Sequence, residues 1–436
     1  MNPSRIRAIA LLLLSVLSTN IFVAAQIEYQ RARARMMLDV VAKEVAKQYY
    51  DAGLRGLDWK TLVAETRARI DKASSDGEMM AVIYSLLQKL QDSHTLFLPP
   101  RQTAQPRFGF KAKPFGDEVR VYELKKKGPA ERAGLQLGDR ILLVNGFRAE
   151  RASFDLLEFY LRLLRPVTAF DLLITRDGLT TQKLRIEADM KSGKRLVDLT
   201  SGTDFWELVR EAEDWEEENE YARYSVNDEK IGYLHLSSFN GDKDWLHGLV
   251  KKVSRAEALI LDLRGNPGGD LESLAYFAGF FTPQPLTMAD LVGRKGPEPL
   301  KTKPQNPNFT GPVYVLVDSQ SASAAEIFAR HLQRLTRAAV IGDKTSGRVT
   351  AARVFPFQLG TDEIVPYAVE VTVARVVFPG DEQLEKIGVT PDHVCIPTAD
   401  HLKNQQDTCR ELATSMARKA LAAKQDAQGG TSAAAH

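Results

Sequence analysis

Cysteine is scarce: the 436 residues hold two, Cys395 and Cys409, and histidine numbers seven. Their spacing matches no zinc pattern, so no metal or other cofactor is expected. Charge of one sign is also lacking, because 58 basic residues stand against 56 acidic ones, a formal net charge of +2. Arg5 and Arg7 supply that surplus, and the rest of the chain is neutral. A neutral protein lacks the broad positive field that non-specific nucleic-acid binding requires, which argues against that function. Long apolar runs are few. The one near the start, Ala8 to Leu17, gives way to Ser18-Thr19-Asn20 and is marginal as a membrane span. A G-x-x-x-x-G-K-[ST] phosphate loop is missing too, since Gly342-Asp343-Lys344-Thr345-Ser346-Gly347 continues into Arg348-Val349.

What is present is a globular composition, 44% hydrophobic and 26% charged, too long for one core and therefore expected to form two or three domains. Residues 1–25 read as a secretory signal peptide: two arginines, an apolar run, then small residues ending Val23-Ala24-Ala25. An uncleaved anchor is the alternative. Export, to the periplasm or outside the cell, would put the two cysteines where they can pair, worth ~3 kcal/mol in the chain-entropy model; two free thiols are the alternative. Residues 26–102 are expected to be helical. Leu38, Val41, Val45 and Tyr49 share one face, as do Trp59, Leu62, Thr66 and Ile70 behind the N-cap candidate Asp58. A third helix opens at Ser75 with capping-box spacing to Glu78 and ends at Gln91-Asp92-Ser93-His94-Thr95.

From 103 to 190 the texture changes to short strands, with Asn145-Gly146 as a hairpin turn. The run Gly128-Pro129-Ala130 through Gly134-Leu135-Gln136-Leu137-Gly138-Asp139-Arg140-Ile141 resembles the central signature of PDZ domains. That resemblance implies capture of extended C-terminal peptides, with Phe108-Gly109-Phe110 as the carboxylate loop. A small β domain acting only as a spacer is the alternative. The acidic stretch Glu211 to Glu220 reads as a solvated face or linker. Residues 191–398 repeat strand, turn and helix, with Ala258–Leu261 and Val313–Val317 as strands buried on both faces. Residues 399–436 read as one helix to Ala423 and a disordered tail. The fold class is thus multi-domain α+β: a helical domain, a PDZ-like β domain and an α/β core.

Two turns in the core carry possible chemistry. Asp262-Leu263-Arg264-Gly265-Asn266-Pro267-Gly268-Gly269 follows a buried strand and can aim backbone amides at an anion, or serve only as a tight turn. Ser323, in Ser321-Ala322-Ser323-Ala324-Ala325-Glu326, can be a nucleophile or simply the N-cap of the next helix. Together with the PDZ signature, these motifs resemble the C-terminal processing (tail-specific) serine proteases, with a crotonase-like core. The resemblance implies Ser323 as nucleophile and oxyanion donors at Gly269 (or Gly268) and Ala324. Bacterial members pair the serine with a lysine and a glutamine, but the aligned positions here are Arg348 and Ala352. Arginine stays protonated and cannot be a general base, and Lys344 aligns with a lysine not used as one. The tricorn-like branch uses a histidine after a serine, and a glutamate before G-V-x-P-D. Ser93-His94 and Glu385-Lys386-Ile387-Gly388-Val389-Thr390-Pro391-Asp392 match both features. The resemblance therefore implies His94 as base, oriented by Ser93 and Glu385, in an exported serine endopeptidase acting on polypeptide tails. A helix-terminal cation is the plain alternative for His94. Rivals for the whole chain are an inactive PDZ adaptor, and a small-ligand binder like the retinoid-binding proteins of photoreceptors that share the core fold.

Overall fold

The computed structural model describes residues 3–100, 104–161, 167–192, 222–360 and 364–433. The acidic stretch at 211–220 lies outside them. The chain opens with one helix, Pro3–Gln48, which runs through the expected boundary at Ala25. Among the described residues no helix is long and apolar enough to cross a membrane. Leu38, Val41 and Val45 are fully buried on the inner face of the first helix, and Tyr49 is buried just past its end. Each of the three aliphatic side chains contributes ~1.5–3 kcal/mol by leaving water. The second helix, Trp59–Ile70, is capped by the Asp58 side chain, which accepts the Thr61 amide. The third, Asp76–Leu87, is capped by Ser75, which accepts the Glu78 amide. The Glu78 carboxylate turns back to Ser74.

This helical region is welded to the core rather than tethered to it. Arg294, from a core hairpin, donates to the carbonyls of Ala46 and Tyr49, satisfying the exposed end of the first helix. Leu96–Leu98 pairs antiparallel with Ala368–Glu370, so the region read as purely helical also gives a strand to the core. Asn145-Gly146 forms the expected hairpin turn, with both residues at positive φ (49° and 83°). The PDZ-like sheet joins Phe110–Phe115, Glu118–Leu124, Arg140–Val144, Ala169–Thr175 and Gln182–Glu187 in that order.

The core's main sheet orders Ala222–Val226, Ile231–Leu236, Ala258–Asp262, Val313–Val317, Ala338–Gly342 and His393–Val394. All its pairings after the first are parallel. Ala258–Asp262 and Val313–Val317 are buried at every position because helices cover both faces. These two central strands are neighbours, so the turns leaving their C-terminal ends, 263–270 and 318–323, emerge side by side. That edge is where open α/β sheets place their sites. After the core the chain forms two helices, Ala399–Lys403 and Thr408–Ala433, where the sequence suggests one helix and a disordered tail. The break falls at Gln405, which takes a left-handed φ of 54°. The alanine-rich run that follows favours helix strongly enough to continue past Gly429 and Gly430. Cys395 and Cys409 are paired, and pin the second helix to the sheet.

Candidate active site

The third helix ends through Gln91, in a left-handed conformation, and hands the chain to Asp92. The Asp92 carboxylate accepts the amides of His94 (3.1 Å) and Thr95 (2.7 Å) and the Thr95 hydroxyl (3.0 Å). An Asp turn of this kind fixes the two residues after it. Strand pairing at Leu96 begins immediately, so His94 is clamped between a turn and a strand.

Around that histidine the hydrogen bonds have a definite polarity. Glu385 accepts the Ser93 amide (2.9 Å) and the Ser93 hydroxyl (3.0 Å), and also the Val349 amide (2.8 Å). Having given its only proton to Glu385, the Ser93 oxygen must accept from His94 Nδ1, 2.8 Å away. A second chain ends the same way. Thr372 donates to Asp92 (2.8 Å), so its oxygen accepts from Thr350 (3.4 Å), whose oxygen faces His94 Nδ1 at 2.9 Å. Both chains terminate in carboxylates and both require the proton on Nδ1. Nε2 is left with its lone pair, the tautomer a general base needs. Burial, reinforced by the nearby Arg348 cation, pushes the His94 imidazole down to about 3 and keeps it neutral. Burial also raises the Glu385 carboxyl, against the pull of the Val349 and Ser93 donors.

Ser323 sits at φ 54° and ψ −118°, a backbone conformation costing a non-glycine residue ~1–3 kcal/mol, at the mouth of helix Ala324–Arg334. The capping box forms: the buried Glu326 carboxylate accepts the Ser323 amide at 3.1 Å. Glu326 also accepts the Thr345 hydroxyl and the amides of Gly347 and Arg348. Burial pushes its carboxyl up to about 7 despite these donors. Ser323 further donates its amide to the Arg348 carbonyl (2.9 Å).

The glycine turn packs against this loop. A Cβ on Gly268 would lie 2.7 Å from the Ser323 Cβ, so no larger residue fits there. Asn266, fully buried, ties both turns together: its carbonyl accepts the Ala322 amide (2.9 Å), its Nδ2 donates to Leu236, and its Oδ1 accepts the Gly268 amide (2.8 Å). That last bond occupies the Gly268 N–H and leaves Gly269 as the oxyanion candidate of the turn. Ala324 opens the helix, so its N–H has no intrahelical acceptor.

No hydrogen bond joins Ser323 to His94 among the described residues, but both are held by one three-residue segment. Ser323 bonds to Arg348, and His94 to Thr350.

The main sheet, the glycine turn and the Ser323 loop lie inside a match of residues 230–395 to peptidase family S41, and residues 99–157 match the PDZ domain. Over residues 230–395 the chain is similar to peptidase family S41. Among curated relatives, the carboxyl-terminal-processing protease of Synechocystis sp. is 30% identical over 270 residues, 61% of this chain and 56% of that protein. The chloroplastic carboxyl-terminal-processing peptidase 1 of Arabidopsis thaliana is 26% identical over 354 residues, 76% of this chain and 65% of that protein. The chain thus spans less than two thirds of either relative's length. Mature CPAF superposes with a TM-score of 0.65 at 15% identity, covering 89% of this chain and 97% of that one. A photosystem II D1 C-terminal processing protease gives 0.52 at 20%, covering 86% and 96%. At such identities the likeness is one of fold. Of the expected site, Gly268, Gly269, Ser323, Ala324 and Glu385 fall within the S41 match, whereas Ser93 and His94 precede both matched regions.

In the PDZ domain Phe108 and Phe110 are core residues, the first stacked on Phe170 at 3.9 Å. The carbonyls of Phe108 and Gly109 accept the amides of Ala130 and Lys125. Any ligand at this loop would therefore meet backbone amides and not aromatic faces. The domain docks directly on the Ser323 loop: Lys113 pairs with Asp318, Ser319 donates to the Pro114 carbonyl, and Asp343 accepts Gly116 and Arg151. Lys344 lies at this interface, its carbonyl accepting from Arg151. Sequence reading alone missed Asp92, Thr350, Thr372, Asn266 and Asp318. Asp92, one residue before Ser93-His94, had a usable signal as a turn-forming aspartate; the threonines had none.

Proposed function

We propose that this chain is a serine endopeptidase that cleaves polypeptide tails, with Ser323 as nucleophile and His94 as base. The observation that carries the reading is the Glu385–Ser93–His94 chain, whose polarity leaves Nε2 unprotonated. Ser323 Oγ attacks a peptide carbonyl carbon while His94 Nε2 takes its proton. The carbonyl oxygen becomes an oxyanion received by the amides of Gly269 and Ala324. Collapse breaks the C–N bond, His94 gives its proton to the departing amine, and an acyl-enzyme remains. Water then attacks the ester, losing a proton to His94, and as the acyl C–Oγ bond breaks His94 returns that proton to Ser323 Oγ and the acid leaves. The relatives' names, which specify carboxyl-terminal processing, support C-terminal tails as substrate, and the PDZ domain supports their capture as peptides. Export to the periplasm or beyond fits the opening segment and the paired cysteines.

Reaction of the folded protein with a fluorophosphonate, and mapping of the adduct, tests the assignment. Label on Ser323, lost in His94→Ala and kept in Lys344→Ala, is expected. Folded protein that takes no label at Ser323 refutes it.

A further inference from the structure

The resemblance described above aligns Arg348 with the lysine base of the bacterial branch, yet an arginine cannot take a proton. It is nevertheless placed at the centre of the site. Its carbonyl accepts the Ser323 amide at 2.9 Å, its amide donates to Glu326 at 3.0 Å, and its guanidinium donates to the Ser93 carbonyl at 3.2 Å. The two residues that follow continue the contacts: the Val349 amide donates to Glu385 and the Thr350 hydroxyl meets His94.

We propose that Arg348 is a positioning residue, a clamp that joins the nucleophile's loop to the base's loop and sets its fixed positive charge beside His94. The inference rests on the Ser323/His94 reading above. The main chain of Arg348 holds the nucleophile, and its side chain reaches across to the backbone carbonyl next to the histidine. The charge has a second consequence, since a permanent cation here opposes protonation of the imidazole in the resting enzyme. The groups around His94 that weigh against that cation are Asp92 on its own turn and Glu385 through Ser93. The same guanidinium acts on Glu370 of strand Val365–Val377 and on Tyr84 of the third helix.

The test is the pH dependence of the rate of fluorophosphonate labelling at Ser323, measured for wild type, Arg348→Met and Arg348→Lys, each shown to be folded by its thermal transition. Arg348→Met should label at least about 10-fold more slowly at neutral pH, because the base is no longer held. Its acid limb should move up by about one pH unit, because the opposing charge is gone. Arg348→Lys should slow the reaction but leave the acid limb where wild type has it. If Arg348→Met does not fold, Arg348→Gln takes its place. Both variants matching wild type, or both slowing without any movement of the limb, overturns the clamp while leaving the peptidase reading intact. A folded wild type that takes no label overturns both.

Discussion

Replacing Glu385 by glutamine isolates the orienting carboxylate with little change in shape. Oε1 accepts one bond, from the Ser93 amide, and Oε2 accepts two, from the Ser93 hydroxyl and the Val349 amide. An amide has a single oxygen. Its least damaging placement keeps that oxygen at the Oε2 position and turns the NH2 toward the Ser93 N–H, donor against donor. One charge-assisted hydrogen bond is lost, ~1.5–3 kcal/mol. The negative charge that would steady the imidazolium during proton transfer is lost with it. If the whole cost appears in the transition state, labelling of Ser323 slows by about 10- to 150-fold. Ser93→Ala cuts the same chain one link later, so the two substitutions should not add: the double variant should be about as slow as the slower single one. Fluorophosphonate labelling rates of the four proteins at neutral pH provide the assay. Glu385→Gln within about twofold of wild type, or clean additivity with Ser93→Ala, would refute the orienting role.

Cutting the Cys395–Cys409 bridge, which spans a sequence separation of 14, should cost ~3 kcal/mol. Denaturant unfolding with and without reductant checks this, and identical midpoints would contradict it. His331 is buried, has an unpartnered Nε2, and is pushed down to about 4 by burial. The unfolded chain binds its proton near ~6.5 and the folded one does not, so this stability is complete above that pH and is lost as pH falls toward 4, by ~1.4 kcal/mol per unit. His331→Met should flatten the pH dependence over that window, and an unchanged slope in pH-dependent unfolding counts against it. Lys113→Met leaves the Asp318 carboxylate, 8% exposed, without its cation. Breaking such a pair typically costs ~3–5 kcal/mol, and the Gly265, Gln320 and Ser321 amides that Asp318 still accepts should reduce this to ~2–3 kcal/mol. Denaturant unfolding reads the loss, and partial recovery in Lys113→Met with Asp318→Asn would show that the orphaned charge is its source.

How far the sequence could be read depended on whether a feature is local. The helical faces, the Asp58 and Ser75 caps, the Asn145-Gly146 turn and the doubly buried strands all follow from patterns within a dozen residues, and all are found in place. The exchange of partners across the chain is not local. Nothing near Leu96 announces that it pairs with Glu370, and nothing near Thr350 announces that it meets His94. Ser93, His94 and Glu385 were legible only through resemblance to the family, since 292 positions separate Ser93 from Glu385. The Gly268 amide could not be distinguished from that of Gly269 by motif, because the distinction is made by the Asn266 side chain folding back on its own turn. At the final helix the Gly/Ser-rich composition after Ala423 suggests disorder, whereas the alanine run before it carries the helix on to Ala433.

For Ser323 the capping role and the proposed nucleophilic role draw on one arrangement. A capping serine normally takes an extended backbone, as Ser75 does at φ −148°. Ser323 instead takes φ 54°, and that strain of ~1–3 kcal/mol must be offset locally. Its amide is shared between the Arg348 carbonyl and the Glu326 carboxylate, and a bond to a charged acceptor contributes ~1.5–3 kcal/mol. The two terms are comparable, so the strained conformation holds only while the Glu326 carboxylate remains in place to accept the Ser323 amide. Glu326 in turn fixes Gly347 and Arg348, and the Arg348 guanidinium reaches the carbonyl of Ser93, next to His94. A single buried carboxylate therefore caps the helix, holds the proposed nucleophile in its uncommon conformation and anchors the segment that contacts His94. The helix N-terminus is where the energy of folding is converted into the geometry of the site.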